Sequence, residues 1–195
     1  MDELKSALKR LKSLPALFRK VDVEKLTPHA AVFLSRAGRN GLVYRLNRGN
    51  YVNSFLYGFP RVEEVACFLR PPAYVTCEWA LNYHGISLQS PNACTVATLS
   101  TAVGKSRSVE YQGIVIEFSM IAPSLFFGFT QVDQSYIATP GKSVLDTFYF
   151  RKSLPAVDEL ELDALDSDRL QEMAEKYPST VKKRLPRITK SHFNL

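Results

Sequence analysis

Residues that build metal centres and disulfides are scarce in this chain. Its three cysteines, Cys67, Cys77 and Cys94, are widely spaced, and its three histidines, His29, His84 and His192, stand apart from them. No CxxC pair occurs, which argues against a structural zinc site. The odd count also fits a disulfide framework poorly, so free buried thiols in a reducing cytoplasm are expected. No apolar run is long enough to span a bilayer, and the opening MDELKSALKRLKSL lacks an apolar core of signal-peptide length. A cytoplasmic protein without membrane association is the expectation.

Catalytic signatures are missing as well. Gly-Lys-Ser occurs at 104–106 and 141–143, but Leu99 and Tyr136 stand where a phosphate-cradling loop needs its upstream glycine. No G-x-S-x-G elbow, H-E-x-x-H pair or EF-hand loop appears. Neither a catalytic residue nor a metal ligand nor a cofactor is assigned, and the chain is expected not to be an enzyme.

What is present is ordinary globular material, 46% hydrophobic and 23% charged. The charge is unevenly placed. Residues 1–60 hold eleven Lys and Arg against four Asp and Glu, a net of +7. Residues 61–150 carry −2 and residues 151–195 carry +1. A basic segment joined to a near-neutral one suggests a footprint for phosphate, although a solvated helix face would give the same excess.

Periodicity predicts an amphipathic helix over 2–14, with Leu4, Ala7, Leu8 and Leu11 on one face, ending near Pro15. A second helical stretch is expected around Leu17–Leu26. Thr27-Pro28 reads as the start of a third helix over 28–39, with Val32, Phe33 and Ala37 inward and Gly38 or Gly41 closing it. Residues 42–46 read as a strand, 47–50 as a turn, and YVNSFLYGF as a partner strand. That order is a winged helix-turn-helix over 1–60. Tyr51, Phe55, Tyr57 and Phe59 alternate, as if packing a strand face onto the next domain; stacking on single strands is the alternative.

Residues 61–72 read as a linking helix and Pro-rich hinge, and 73–195 as a larger mixed α/β domain, so the fold class expected is α+β. Within it, 113–121 is a strand, Thr139-Pro140 caps a helix, and Asp166 or Ser167 opens another. His84, beside a helix end, is expected to bond an orphan carbonyl, and Asp146 to pair with Lys142 one turn earlier.

Duplex binding needs cations along the phosphates and an element slim enough for the major groove. The third helix offers His29, Ser35, Arg36 and Arg39 on its outer face; Arg45 lies on the strand, and Arg48 beside Gly49 forms the wing tip. These seven residues are the candidate DNA-binding set. Arg36 and Arg39 could also simply favour a helix C-terminus.

Three blocks, residues 41–51, 80–85 and 140–146, resemble the AbiE-type (AbiEi) antitoxin family of predicted regulators of viral defence. Gly41, Leu42, Arg45, Arg48, Gly49 and Tyr51 match its wing pattern; Ala80, Leu81, His84 and Gly85 match a second segment; Pro140, Lys142, Leu145 and Asp146 match a third. Gly141 departs from the glutamate common there, and the residues before 41 match only loosely. The resemblance implies an operator-binding, autorepressing winged helix and a C-terminal domain acting against a nucleotidyltransferase-like toxin, which need not be held in a stable complex. A homodimer or cooperative pair on DNA is expected. Two alternatives compete. One is a metal-dependent nucleic-acid enzyme using Glu110, Glu117, Asp133 and Asp146; the other is an adaptor whose winged helix binds protein.

Overall fold

The computed structural model describes residues 2–101, 107–151, 160–161 and 165–185. Among them, helices and a mixed sheet make an α+β fold. No described helix is long and apolar enough to cross a membrane.

The first elements are α1 (Asp2–Lys12), β1 (Leu17–Arg19), α2 (Lys20–Glu24), α3 (Ala30–Arg39), β2 (Tyr44–Asn47) and β3 (Asn50–Val52). The three strands form an antiparallel sheet in the order β1-β3-β2. Its apolar face and the helices enclose Leu11, Phe18, Val23, Leu34 and Val43. Asn53, just after β3, donates from Nδ2 to the Leu11 and Leu14 carbonyls at 2.9 and 3.4 Å. Those carbonyls lie at or just past the end of α1, where a helix runs out of its own donors.

Three expectations for this region need correction. Residues 17–19 are a strand, not helix: Phe18 points inward between half-buried Leu17 and exposed Arg19, and all three pair with β3. In α3, Ala30, Leu34 and Ala37 are the buried positions, while Val32 is 51% exposed and Phe33 half-buried. The inward stripe is therefore shifted by one residue at its start. The helix also begins at Ala30, two residues late, although Thr27 Oγ1 still accepts the His29 N–H at 3.3 Å. At the other end, Gly41 (φ +67°) donates to Gly38 and Leu42 to Ala37, the paired bonds of a Schellman ending.

The aromatic series is the third correction. β3 stops at Val52, and Ser54–Tyr57 form a short helix, α4. Tyr51 stacks on Phe18, while Phe55, Tyr57 and Phe59 are each more than half exposed. They do not form one packed strand face.

The second part contains α5 (Val62–Leu69), β4 (Ala73–Thr76), α6 (Cys77–Tyr83), β5 (Ala93–Thr98), β6 (Ser108–Tyr111), β7 (Ile114–Met120), β8 (Phe129–Val132), β9 (Ser135–Ala138), α7 (Pro140–Arg151), α8 (Ser167–Ala174) and α9 (Ser179–Lys182). The sheet order is β6-β7-β5-β4-β9-β8; β5/β7 and β4/β9 are parallel and the other pairs antiparallel. β4 is buried on both faces, as befits a central strand between helical layers. Its Ala73 and Val75 face α5, with Val65, Ala66, Cys94, Val96 and Phe118. Its Tyr74 faces the opposite layer, with Leu81, Leu145, Leu170 and Tyr177. The segment expected as a linking helix is thus a packed layer of the sheet, followed by a cis Pro71–Pro72 peptide.

The two parts share a core. Leu46 and Val52 join the α5 cluster, Tyr44 meets Tyr111 edge-on, and the buried Tyr111 hydroxyl donates to the Pro60 carbonyl at 2.7 Å. All three cysteines are free and buried. Burial pushes the Cys67 thiol up to about 11 and raises Cys77 and Cys94 well above the ordinary range.

Candidate nucleic-acid interface

The hairpin between β2 and β3 turns through Arg48 and Gly49, and Gly49 takes φ +89°, a backbone that disfavours any side chain. This holds Arg48 exposed at the tip. Arg45 lies exposed on β2 and donates from Nε to the Asn47 carbonyl at 3.1 Å. Across from the hairpin, Arg39 on α3 donates to Ser35 Oγ at 3.1 Å.

These residues surround one cleft of about 830 Å³. Ser35, Arg39, Arg45, Arg48 and Gly49 all line it, so five of the seven predicted residues come together. Arg19 and Lys20 line it too and were not anticipated. They lie where β1 passes into α2, a junction hidden in the sequence because three strand residues show no period. Among the described residues Glu24 is the one acidic residue lining it, and it pairs with Lys20 at 3.0 Å.

The other two predicted residues lie elsewhere. His29 and Arg36 border a separate hollow of about 530 Å³ between α1 and α3, with Arg10. There the Arg10 guanidinium sits over the Phe33 ring at 5.8 Å. α3 thus has cationic side chains on both flanks, with Val32 exposed.

The second part presents its charged residues differently. Lys142 and Asp146, both without exposed side-chain surface, meet at 2.6 Å within α7. Asp146 Oδ1 also accepts the Tyr177 hydroxyl at 2.5 Å, and Oδ2 accepts Thr76 at 2.8 Å and Tyr74 at 2.9 Å. Lys142 also donates to the Tyr177 hydroxyl and lies over the rings of Tyr74, Phe127 and Tyr177. Gly128, at φ +71°, keeps room for the lysine stem: an added Cβ would stand 3.3 Å from it. Burial lowers the lysine's pKa against the upward pull of Asp146. Burial, then the aspartate's charge, raises both tyrosines far above their ordinary value. A carboxylate with four donors and no solvent contact is an architectural clamp. Thr76 stands at the N-cap position of α6 but donates its hydroxyl here rather than capping the helix.

His84 caps the end of α6, and its Nε2 lies 2.7 Å from the Ala138 carbonyl. The four carboxylates considered as metal ligands are dispersed. Glu117 pairs with Arg151 at 2.8 Å, Asp133 with Arg61 at 2.7 Å, Asp146 is in the clamp, and Glu110 is exposed. Among the described residues no group of three or more His, Cys, Asp and Glu could hold a metal ion. The Gly-Lys-Ser at 104–106 lies outside the described residues, whereas that at 141–143 supplies the clamp lysine. No protein-family model matches the chain, and no curated protein matches it significantly.

Proposed function

We propose that this chain is a DNA-binding transcriptional regulator whose first part is a winged helix-turn-helix. One observation carries the proposal: α3 and the Arg48–Gly49 hairpin flank a cleft bearing Arg19, Lys20, Arg39, Arg45 and Arg48, in which the acidic Glu24 is itself paired. In this reading α3 lies in the major groove, with Val32, Ser35 and Arg36 toward base edges. Arg48, carried by a hairpin narrow enough for close approach, meets phosphate or the minor groove alongside. Ser35 and Asn47 hold the guanidiniums of Arg39 and Arg45 in place before DNA arrives.

A gel shift with duplex DNA from upstream of the chain's own gene tests the proposal. Binding at low salt that weakens steeply as salt rises is expected. No shift at low salt contradicts it.

The antitoxin role, autorepressing the operon of an AbiE-like toxin–antitoxin system, is proposed on the three resembling blocks. An adjacent gene for a nucleotidyltransferase-like toxin, neutralised when the two are co-expressed, supports it; toxicity left unrelieved counts against it. The proposal places the protein in the cytoplasm, where its DNA is.

A further inference from the structure

A cleft of about 890 Å³ opens where the two parts of the chain meet. Its volume falls within the roughly 300–1,000 Å³ usual for small-molecule sites, and joints between units are a common place for them. Pro15, Ala16 and Leu17 wall it from one side, and α5 and the β8–β9 hairpin region from the other.

The lining has a definite chemistry. Tyr57, Phe68, Phe126, Phe129 and Tyr136 contribute aromatic rings. Three of these form a continuous wall: Phe126 and Phe129 are 5.0 Å apart between centroids, and Phe129 and Tyr136 are 5.8 Å apart. Tyr57 and Tyr136 are 54% and 40% exposed, so their rings are not used up by the core. Among the described residues the cleft has one charged group, Glu64, and no lysine, arginine or histidine. Among the described residues only one Glu64 oxygen has a hydrogen-bonding duty: Oε2 accepts the Arg61 N–H at 3.0 Å, at the start of α5.

Aromatic faces attract cations through the ring quadrupole, and a carboxylate beside them adds charge of the right sign. The protein already uses these rings so: the Arg19 guanidinium lies over Phe68 at 5.4 Å. An anion would meet Glu64 unpaired, and a neutral apolar molecule would leave its charge without a partner. We propose that this cleft binds an aromatic organic cation, with Glu64 as its counter-charge and Phe126, Phe129 and Tyr136 as its stacking wall. Because the walls come from both parts of the chain, the ligand sits across their joint.

Tetraphenylphosphonium and tetraphenylborate have nearly the same shape and opposite charge, and titrating each into the full chain by calorimetry tests the proposal. The phosphonium is expected to bind at one site per chain, and the borate at least about tenfold more weakly. Glu64→Gln keeps an oxygen to accept the Arg61 N–H, so the start of α5 survives; it should weaken phosphonium binding about fivefold to tenfold. Tyr136→Leu, which keeps apolar bulk and loses the ring, should weaken it severalfold, with thermal melting confirming that both variants fold. Equal binding of the two ions, affinity unchanged in both variants, or no phosphonium binding up to about 1 mM overturns the proposal. DNA is absent from the assay, so the outcome is independent of the regulator reading.

Discussion

Arg48 stands in solvent at a hairpin tip, while Lys142 has no exposed surface and meets Asp146 at 2.6 Å. The first part of the chain gathers cations around an open cleft, and the second hides one inside a cage of hydroxyls and rings. An exposed charge costs little to hold and remains available to a partner. A buried one must be fully satisfied within the fold, and once satisfied it offers a partner nothing. The contrast separates two uses of a cationic side chain. Substitutions in the cleft should change binding and spare stability, and substitutions in the clamp should do the reverse.

The largest effect is expected in the clamp. Asp146→Ala strands a buried ammonium and should destabilise the protein by about 3–5 kcal/mol, measured by urea unfolding. Replacing both partners, Lys142→Met with Asp146→Leu, should cost clearly less, because no charge is then left alone. If the single change were harmless, the pair would not be a clamp.

Alkaline pH probes the same interior. Cys67, Cys77, Cys94, Tyr74 and Tyr177 all have folded-state pKa values above their unfolded ones. Above about pH 9 the unfolded chain therefore loses protons that the folded chain keeps, so stability should fall as pH rises. Lys142, with a lowered pKa, opposes this just below its ordinary value, but the raised groups outnumber it. The unfolding free energy should decline steadily from about pH 9 upward. A flat profile to pH 11 would show the interior to be less shielded than its burial implies.

In the cleft, Arg48→Ala should weaken duplex binding across sequences while shifting stability by no more than about 0.5 kcal/mol. A loss of fold would erase the distinction between the two regions. The smallest effect is expected at Gly38. It lies inside α3, and an added Cβ would meet nothing within 4 Å. Gly38→Ala should stabilise the protein by up to about 1 kcal/mol through helix propensity, seen as a higher Tm.

Much of this was legible in sequence, for physical reasons that can be named. Gly41 marks a helix end because positive φ is cheap for glycine, and it closes a Schellman ending. The Lys142–Asp146 spacing announces an i,i+4 pair, and the pair forms. Its partners did not announce themselves. Tyr74 lies 72 residues from Asp146 and Tyr177 lies 31 away, and only folding joins them. β1 was missed because three residues cannot display a period of two. Val32 faces solvent because the run Val32-Phe33-Leu34 offers apolar residues to more than one face of α3, and the buried one passes through Ala30, Leu34 and Ala37. Arg19 and Lys20 reach the cleft only because β1 pairs with β3 and carries them beside the hairpin. The aromatic cleft could not be foreseen, since its walls come from segments far apart in the chain.

The most direct test of the central claim is the salt dependence of duplex binding for the wild type and Arg48→Ala. The account predicts a log–log slope of several units for the wild type, reduced by about one in the variant as one phosphate contact is lost. Absence of binding at low salt, or a slope the substitution leaves unchanged, would contradict it.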